Sequence, residues 1–221
     1  EGVVTLDGDV GSILEKDRAE KIAETVKGVR SVVNQVSVSP AVVRTDREIE
    51  EDVRDAFLYN LVTESWEVSA TVKGGTVNLK GTVDSWQEKE IAARVAKGVK
   101  GVVGIDNDIV VDYTVDRSDN EIRRDVKSAL KWDTLVDHVL VDVNVDDGNV
   151  KLSGTVGSAA EKARAKARAW VAGVNSVKAE KLNVKWWARD DRLREDKYTD
   201  IKDSKIRKAV SDALLYDPRV N

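Results

Sequence analysis

The sequence predicts an α+β protein made of tandem copies of one small module, ordered α-β-β-α-β. In each copy a three-stranded mixed sheet is expected to carry two helices on one face. Three observations predict this. The phrase GDVGS at 8–12 returns as GTVDS at 81–85 and as GTVGS at 154–158, a spacing of 73 both times (81 − 8 and 154 − 81). Upstream of the later two copies lie segments with apolar residues at helical spacing. Between those segments and the phrase lie apolar–polar alternations joined by Gly-Gly or Asp-Gly. The period exceeds the roughly 20–50 residues of solenoid units, so each copy is expected to close a core of its own. At about 65 residues such a core is marginal, and contacts between copies would help.

The first helix is read from DREIEEDVRDAF (46–57) and DNEIRRDVKSAL (119–130), with Ile49 and Ile122 again 73 apart. Ile122, Val126, Ala129 and Leu130 fall at i, i+4, i+7 and i+8, one face of a helix opened by an Asp or Ser cap. The first strand follows from the alternation of Trp66, Val68, Ala70 and Val72, matched by Val139, Val141, Val143 and Val145. Gly74-Gly75 and Asp147-Gly148 are tight-hairpin dipeptides. The second strand reads TVNLKGTV (76–83) and NVKLSGTV (149–156), with Val77, Leu79, Val150 and Leu152 pointing inward. Gly8, Gly81 and Gly154 share that parity and are expected to leave room where a helix crosses the sheet closely. One glycine per copy is too few for a phosphate loop.

SILE (12–15), SWQE (85–88) and SAAE (158–161) are S-x-x-E capping boxes, each Glu expected to reach back to the Ser N–H. Such a cap contributes about 1 kcal/mol and marks a strand-to-helix junction. The second helix presents Ala19, Ile22 and Val26, or Ala92, Val95 and Val99, inward and ends near Gly28, Gly101 and Gly173. SVVNQVSV (31–38), GIDNDIVV (104–111) and SVKAEKLNV (176–184) close each sheet.

This organises the chain as a partial module over 1–39, which lacks the first helix and first strand, and modules over 46–113 and 118–186. A charged linker over 187–202 follows, then DSKIRKAVSDALLYDPRVN (203–221), the first helix of a further partial module with Ile206 in the place of Ile122. The stretch corresponding to 65–73, the first strand, is represented in neither terminal piece. A cut from a longer array, two ends sharing one domain, and completion by a neighbouring chain all fit, and residues 1–39 and 203–221 are expected to pack in one unit.

Composition narrows the function. No apolar run approaches the roughly 20 residues of a membrane span. No signal peptide is visible, and a chain that begins at Glu1 and contains no Met reads as a processed or trimmed product. A net charge of −4 argues against general nucleic-acid binding, which needs a basic face. The absence of cysteine excludes disulfides, thiolate metal sites and thiol nucleophiles. Six Trp against one Phe concentrate the aromatic content in a residue suited to interfaces. His138 is the only histidine and a poor basis for a metal site. Asp146 and Asp147 lack the 12-residue loop ending in Glu that calcium would require. No nucleophile triad or P-loop has supporting context. The expectation is a non-enzyme without cofactor or metal.

The assembled pattern resembles the BON family, the bacterial osmotically inducible and nodulation domain. VVTLDGDVGSILEK, TVNLKGTVDSWQEK and NVKLSGTVGSAAEK fit its core, and KGVRSVVNQVSV fits its end. The resemblance covers nearly the whole chain outside the charged linker. It implies a non-catalytic module of the bacterial periplasm or cell envelope, associated with phospholipid surfaces or with envelope integrity under osmotic stress.

Three groups of residues are candidates for such a surface. EKARAKARAW (161–170) sets Lys162, Arg164, Lys166 and Arg168 beside small alanines and ends at Trp170; Lys162 with Lys166, and Arg164 with Arg168, are i,i+4 pairs. A basic helix of this kind can lie against anionic headgroups. Tyr59, Trp132 and Tyr216 form a column at the end of the first helix, with Leu135 and Val136 nearby, and aromatics there suit a membrane interface. Trp186 and Trp187 end the third copy. The expected function is peripheral association with anionic phospholipid through several weak linked sites. The alternative is a protein-interaction array that forms homo-oligomers through residues 1–39 and 203–221, with no role for lipid.

Overall fold

The computed structural model describes residues 2–26, 28–59, 67–113 and 117–189. The expectations for Trp66, for 190–202 and for 203–221, Tyr216 included, lie outside them. The described residues fall into two compact units, one gathering 2–4, 21–33 and 117–189, the other 5–20, 34–59 and 67–113. The protein is α+β, with five described helices and mixed sheets.

The segment 118–186 is the most complete copy. Helix α4 (Asp119–Lys131) leads through a 3-10 turn (His138–Leu140) into β9 (Val141–Asp146), β10 (Asn149–Val156), α5 (Ala159–Arg168) and β11 (Ser176–Val184). Its sheet has the order β11-β10-β9, with β10 antiparallel to β9 and parallel to β11. Alternation decides what is buried: Val141, Val143 and Val145 of β9, with Val150, Leu152 and Val156 of β10, face one core. Ile122, Val126 and Leu130 of α4 and Ala165 of α5 join that same core, which puts both helices on one side of the sheet. Each fully buried Val, Leu or Ile contributes about 1.5–3 kcal/mol, so these positions dominate the module. Val139, expected in the alternation, sits in the 3-10 turn and is exposed, because the Asp137 side chain caps that turn by accepting from the Val139 N–H.

The other copies depart from three strands. In the second unit, α2 (Asp46–Leu58), β5 (Glu67–Lys73), β6 (Thr76–Val83) and α3 (Trp86–Lys97) repeat the plan, but the closing strand is split into β7 (Gly104–Asn107) and β8 (Val110–Val111). Both segments pair with β6 in parallel. Asn107 makes the break: its amide donates to the Lys89 carbonyl at 3.1 Å, and its Oδ1 accepts the Ile109 N–H at 3.3 Å. Asn34 does the same toward Lys16 and Val36, between β3 (Ser31–Asn34) and β4 (Ser37–Val38). Glu180 holds the equivalent place in β11, which stays continuous with a register shift against β10. At the start of the chain β1 (Val3–Leu6) pairs with β3, and β2 (Asp9–Val10) pairs with β4. Helix α1 (Ile13–Thr25) places Ile13 in the second unit's core, and Lys97 bonds Asp17 at 2.7 Å. Ile22 and Val26, expected inward, are 60% and 54% exposed, since no counterpart of α2 covers α1 among the described residues of this copy.

Two further expectations change in detail. Ser12, Ser85 and Ser158 accept the N3 amide as predicted, but their glutamates reach one residue further back. Glu15 takes the Gly11 N–H, Glu88 the Asp84 N–H and Glu161 the Gly157 N–H. Full reciprocal boxes form instead at the first helix, between Thr45 and Glu48 and between Ser118 and Glu121. The repeated glycines are set by backbone conformation rather than by a crossing helix. Gly8, Gly81 and Gly154 have φ of +129°, +145° and +108°, where L side chains are strained. A Cβ on Gly154 would stand 2.2 Å from the Leu140 carbonyl oxygen, so what comes close is the chain entering β9.

The first helix is pinned to the hairpin by one carboxylate. Both central residues of each turn have positive φ, Gly74 and Gly75 at +58° and +74°, Asp147 and Gly148 at +51° and +68°, which matches strand twist. Asp119 accepts the N–H groups of Asp147 and Gly148, both at 2.9 Å. Asp46 accepts those of Gly74 and Gly75 at 2.8 and 2.9 Å. The backbone bonds, from Gly75 and then Gly74, hold the Asp46 carboxyl below its ordinary value, and those from Gly148 and then Asp147 do so for Asp119. A carboxyl lowered on folding stabilises the fold above its unfolded value, and that contribution is lost as pH falls through the folded value. Asp119→Asn and Asp46→Asn should therefore lower the melting temperature at pH 7 by a few degrees. The deficit should shrink as pH drops below about 4, where the parent carboxyls also protonate; a deficit constant from pH 7 to pH 2.5 would refute the assignment.

Candidate functional site

Trp132, Arg164 and Arg168, three of the sequence candidates, meet at the segment between α4 and β9. Helix α4 exposes Lys127 and Lys131 one turn apart and ends at Trp132, which is half-buried as its C-cap. Lys131 in the last turn also complements the helix dipole. The chain then makes the tight segment Asp133–Asp137 that carries Val136, fully buried, into the core. Anchoring Val136 turns its neighbours outward: Leu135 is 65% exposed and Val139 is 59% exposed. Beside them runs an open groove of about 560 Å³, lined by Lys127, Lys131, Trp132, His138, Val139 and Asp142. It offers two cations, one aromatic face and an apolar lip, with Asp142 as the opposing charge.

Charged groups from α5 hold this segment in place. Asp133 is 2% exposed. Its Oδ2 accepts from Arg164 Nε at 2.8 Å and Arg168 Nε at 2.5 Å, and its Oδ1 accepts the Leu135 N–H at 2.9 Å. Burial opposes ionisation of Asp133, and the bonds from Arg168, the Leu135 N–H and Arg164 outweigh it, so the carboxyl stays below its ordinary value. Glu161, also buried, accepts the Asp137 N–H at 2.7 Å and the Gly157 N–H at 2.8 Å. One glutamate thereby ties the end of the segment to the start of α5.

The sequence candidates are thus divided. Arg164 and Arg168 are half-exposed, but both are engaged with Asp133 and position the segment beside the groove. Lys162 is half-buried and Lys166 exposed. Trp170 packs against the module core. Trp132 lines the groove. Tyr59 is 85% exposed at the end of α2, next to Leu58, so the second unit also presents apolar surface at this helix end. Trp187 is partly exposed in the 3-10 turn Trp186–Arg189, and the Trp186 side chain lies outside the described residues. The sequence reading missed Lys127, Lys131, Val139 and Asp142. Lys127 and Lys131 were visible as an i,i+4 basic pair directly before Trp132, whereas Val139 is exposed at the groove because it sits in the 3-10 turn that precedes β9.

Among the described residues no group of three or more His, Asp or Glu side chains could hold a metal ion. Asp147 lends its N–H to Asp119 in the hairpin that also brings Asp146 onto the strand edge. No helix among the described residues is long and apolar enough to cross a membrane.

Comparison with known proteins adds the following. The profile of the BON domain matches residues 1–40, 45–113 and 118–185. Osmotically-inducible protein Y of Escherichia coli (strain K12) is 34% identical over 113 residues, covering 48% of this chain and 56% of that protein. The match therefore spans about half the length of that relative. Two solved structures of CdsD, a structural protein of the Type III secretion system of Chlamydia trachomatis, align weakly. Its C-terminal domain aligns at 13% identity and TM-score 0.26 over 83% of this chain and 86% of that one. The second aligns at 14% and 0.25 over 91% and 88%. Scores this low carry no inference about this chain.

Removing Asp133 leaves two guanidinium groups and the Leu135 N–H without their acceptor. Breaking a fully buried ion pair costs about 3–5 kcal/mol. With the Arg164 and Arg168 side chains 42% and 49% exposed, Asp133→Ala should cost about 2–3 kcal/mol in urea denaturation. Lys166→Ala should stay within about 0.5 kcal/mol of the parent; equal losses in the two variants would refute the positioning role.

Proposed function

The chain belongs to the BON domain family, and from that membership we propose that it is a non-catalytic envelope protein that binds anionic phospholipid surfaces peripherally in osmotic stress. The name of the E. coli relative supports the link to osmotic induction. Placement in the bacterial periplasm or cell envelope follows from the family resemblance and is part of the same proposal.

The observation that carries the lipid reading is the groove at the end of α4. Val139 lines it with Trp132, Lys127 and Lys131, and Leu135, three residues after Trp132, is exposed. An apolar tip enters the headgroup boundary, Trp is favoured at that depth, and each nearby cation adds about 1 kcal/mol against an anionic surface. Lys162 and Lys166 of α5 are a secondary contribution, and Arg164 and Arg168 act mainly through Asp133. Leu58 and Tyr59 offer a second contact from the other unit. Two weak sites on one chain reinforce each other by raising effective concentration.

Flotation with liposomes of increasing anionic content tests this. Binding should rise with anionic lipid and fade with salt. Lys127→Glu with Lys131→Glu should weaken it at least ~30-fold, since loss of two cations alone removes about 2 kcal/mol. Leu135→Asp with Val139→Asp should abolish it, while Asp142→Asn should tighten it about fivefold. Lys162→Glu with Lys166→Glu should have the smaller effect. Absence of binding at every composition would sink the reading, and a dominant effect of the α5 pair would move the site to that helix.

A further inference from the structure

Three cations from separate parts of the sequence meet at a cleft away from the groove at α4. Arg30 precedes β3, Lys162 lies in the first turn of α5, and Lys185 directly follows β11. The cleft they line measures about 210 Å³, and all three belong to one compact unit, that of 21–33 and 117–189. β3 pairs with one strand only, as β7 and β11 do in the complete copies, so it is a sheet edge by the plan of the module itself.

No carboxylate lines this cleft. On a chain with 40 acidic against 36 basic residues, three like charges gathered without an acid repel one another, and an anion would relieve that repulsion. None of the three charged groups has a hydrogen bond or ion pair with another described residue. Lys162 is half-buried, which raises the cost of leaving its charge without a partner. The second copy treats the same places differently. Lys89, 73 residues before Lys162, donates to the Ile109 carbonyl at 2.6 Å. Asp112 stands where the third copy has Lys185, its N–H bonding Val83 as the Lys185 N–H bonds Val156. The paired cations are thus particular to the third copy.

Size and charge then select the ligand. The volume lies below the roughly 300–1,000 Å³ of pockets that enclose drug-sized molecules, so the occupant is small. Three positive charges suit a dianion better than a single carboxylate, and the guanidinium of Arg30 offers paired donors to a tetrahedral oxyanion. The Ser31 hydroxyl, also at the cleft, adds a neutral donor. We propose that this cleft binds a phosphate group, either inorganic phosphate or the phosphomonoester headgroup of a lipid, held by Arg30, Lys162 and Lys185. The site is independent of the lipid contact at the α4 groove.

Titration of the isotopically labelled full chain with inorganic phosphate, at about pH 8 where a phosphate monoester is dianionic, reads the site through the Ser31 and Asn183 amides. Saturable shifts are expected with phosphate and not with chloride at matched ionic strength. Arg30→Gln, Lys162→Gln and Lys185→Gln should each weaken binding at least ~10-fold, the loss of one charge-assisted bond. Lys166→Gln, on the same helix but outside the cleft, should leave it unchanged. Flotation onto phosphatidic acid vesicles with the same variants separates the two sources. Selective loss in the three cleft variants assigns the headgroup, and no change among them assigns soluble phosphate. Shifts that do not saturate, that chloride reproduces, or that Lys166→Gln weakens equally would overturn the proposal. The phosphate titration involves no membrane, so its outcome is separate from that of the lipid reading.

Discussion

A sheet of three short strands has one apolar face, and everything else in this protein follows from the need to cover it. Val150, Leu152 and Val156 are almost wholly buried, as are Val77, Leu79 and Val83 in the second unit. Neither helix alone spans such a face. The first helix supplies the bulk, with Ile122, Val126 and Leu130, and the second supplies close approach through alanines such as Ala165 and Ala169. Small residues on α5 let its backbone come near β10 and β11, which keeps the core dense without large side chains.

Polar groups then fix how the helices sit, and they recur wherever the backbone demands them. Two consecutive residues with positive φ leave two N–H groups pointing the same way, and a single aspartate at the start of the first helix accepts both. Arg44 with Asp52 and Arg117 with Asp125 are likewise equivalent pairs 73 residues apart. These contacts join parts of the module distant in sequence, so they specify helix orientation where apolar packing alone would tolerate sliding.

The copies diverge where function is proposed. The Asp133 carboxylate and its two arginines belong to the third copy, for the second has Asn60 and, in α3, Ile91 and Val95 at the corresponding places. Ile91 is buried and Val95 packs on the core, so α3 has no guanidinium groups at the places of Arg164 and Arg168. The same module plan thus carries two different ends of the first helix, one with lysines and Trp132 lining a groove and one with exposed Leu58 and Tyr59.

The sequence by itself determined the repeat, the class of the fold and most of the core-facing residues, with Ile22, Val26 and Val139 as exceptions. Those depend on local spacing: period two for strands, 3.6 for helices, and dipeptides such as Asp147-Gly148 whose backbone preference is intrinsic. It also marked Trp132 as a surface candidate, because an aromatic at a helix end stands out without any partner. Only the tertiary structure decided that Arg164 and Arg168 converge on Asp133, that Glu161 reaches Asp137 and Gly157 rather than its own cap, and that Val139 leaves the strand. The bonds of Arg164 and Arg168 to Asp133 and of Glu161 to Asp137 join groups 24 to 35 positions apart, whereas Val139 leaves the strand because Asp137, two residues earlier, caps the 3-10 turn. Side-chain charge and spacing are written locally, but which charge meets which is settled by how the helices lie across the sheet.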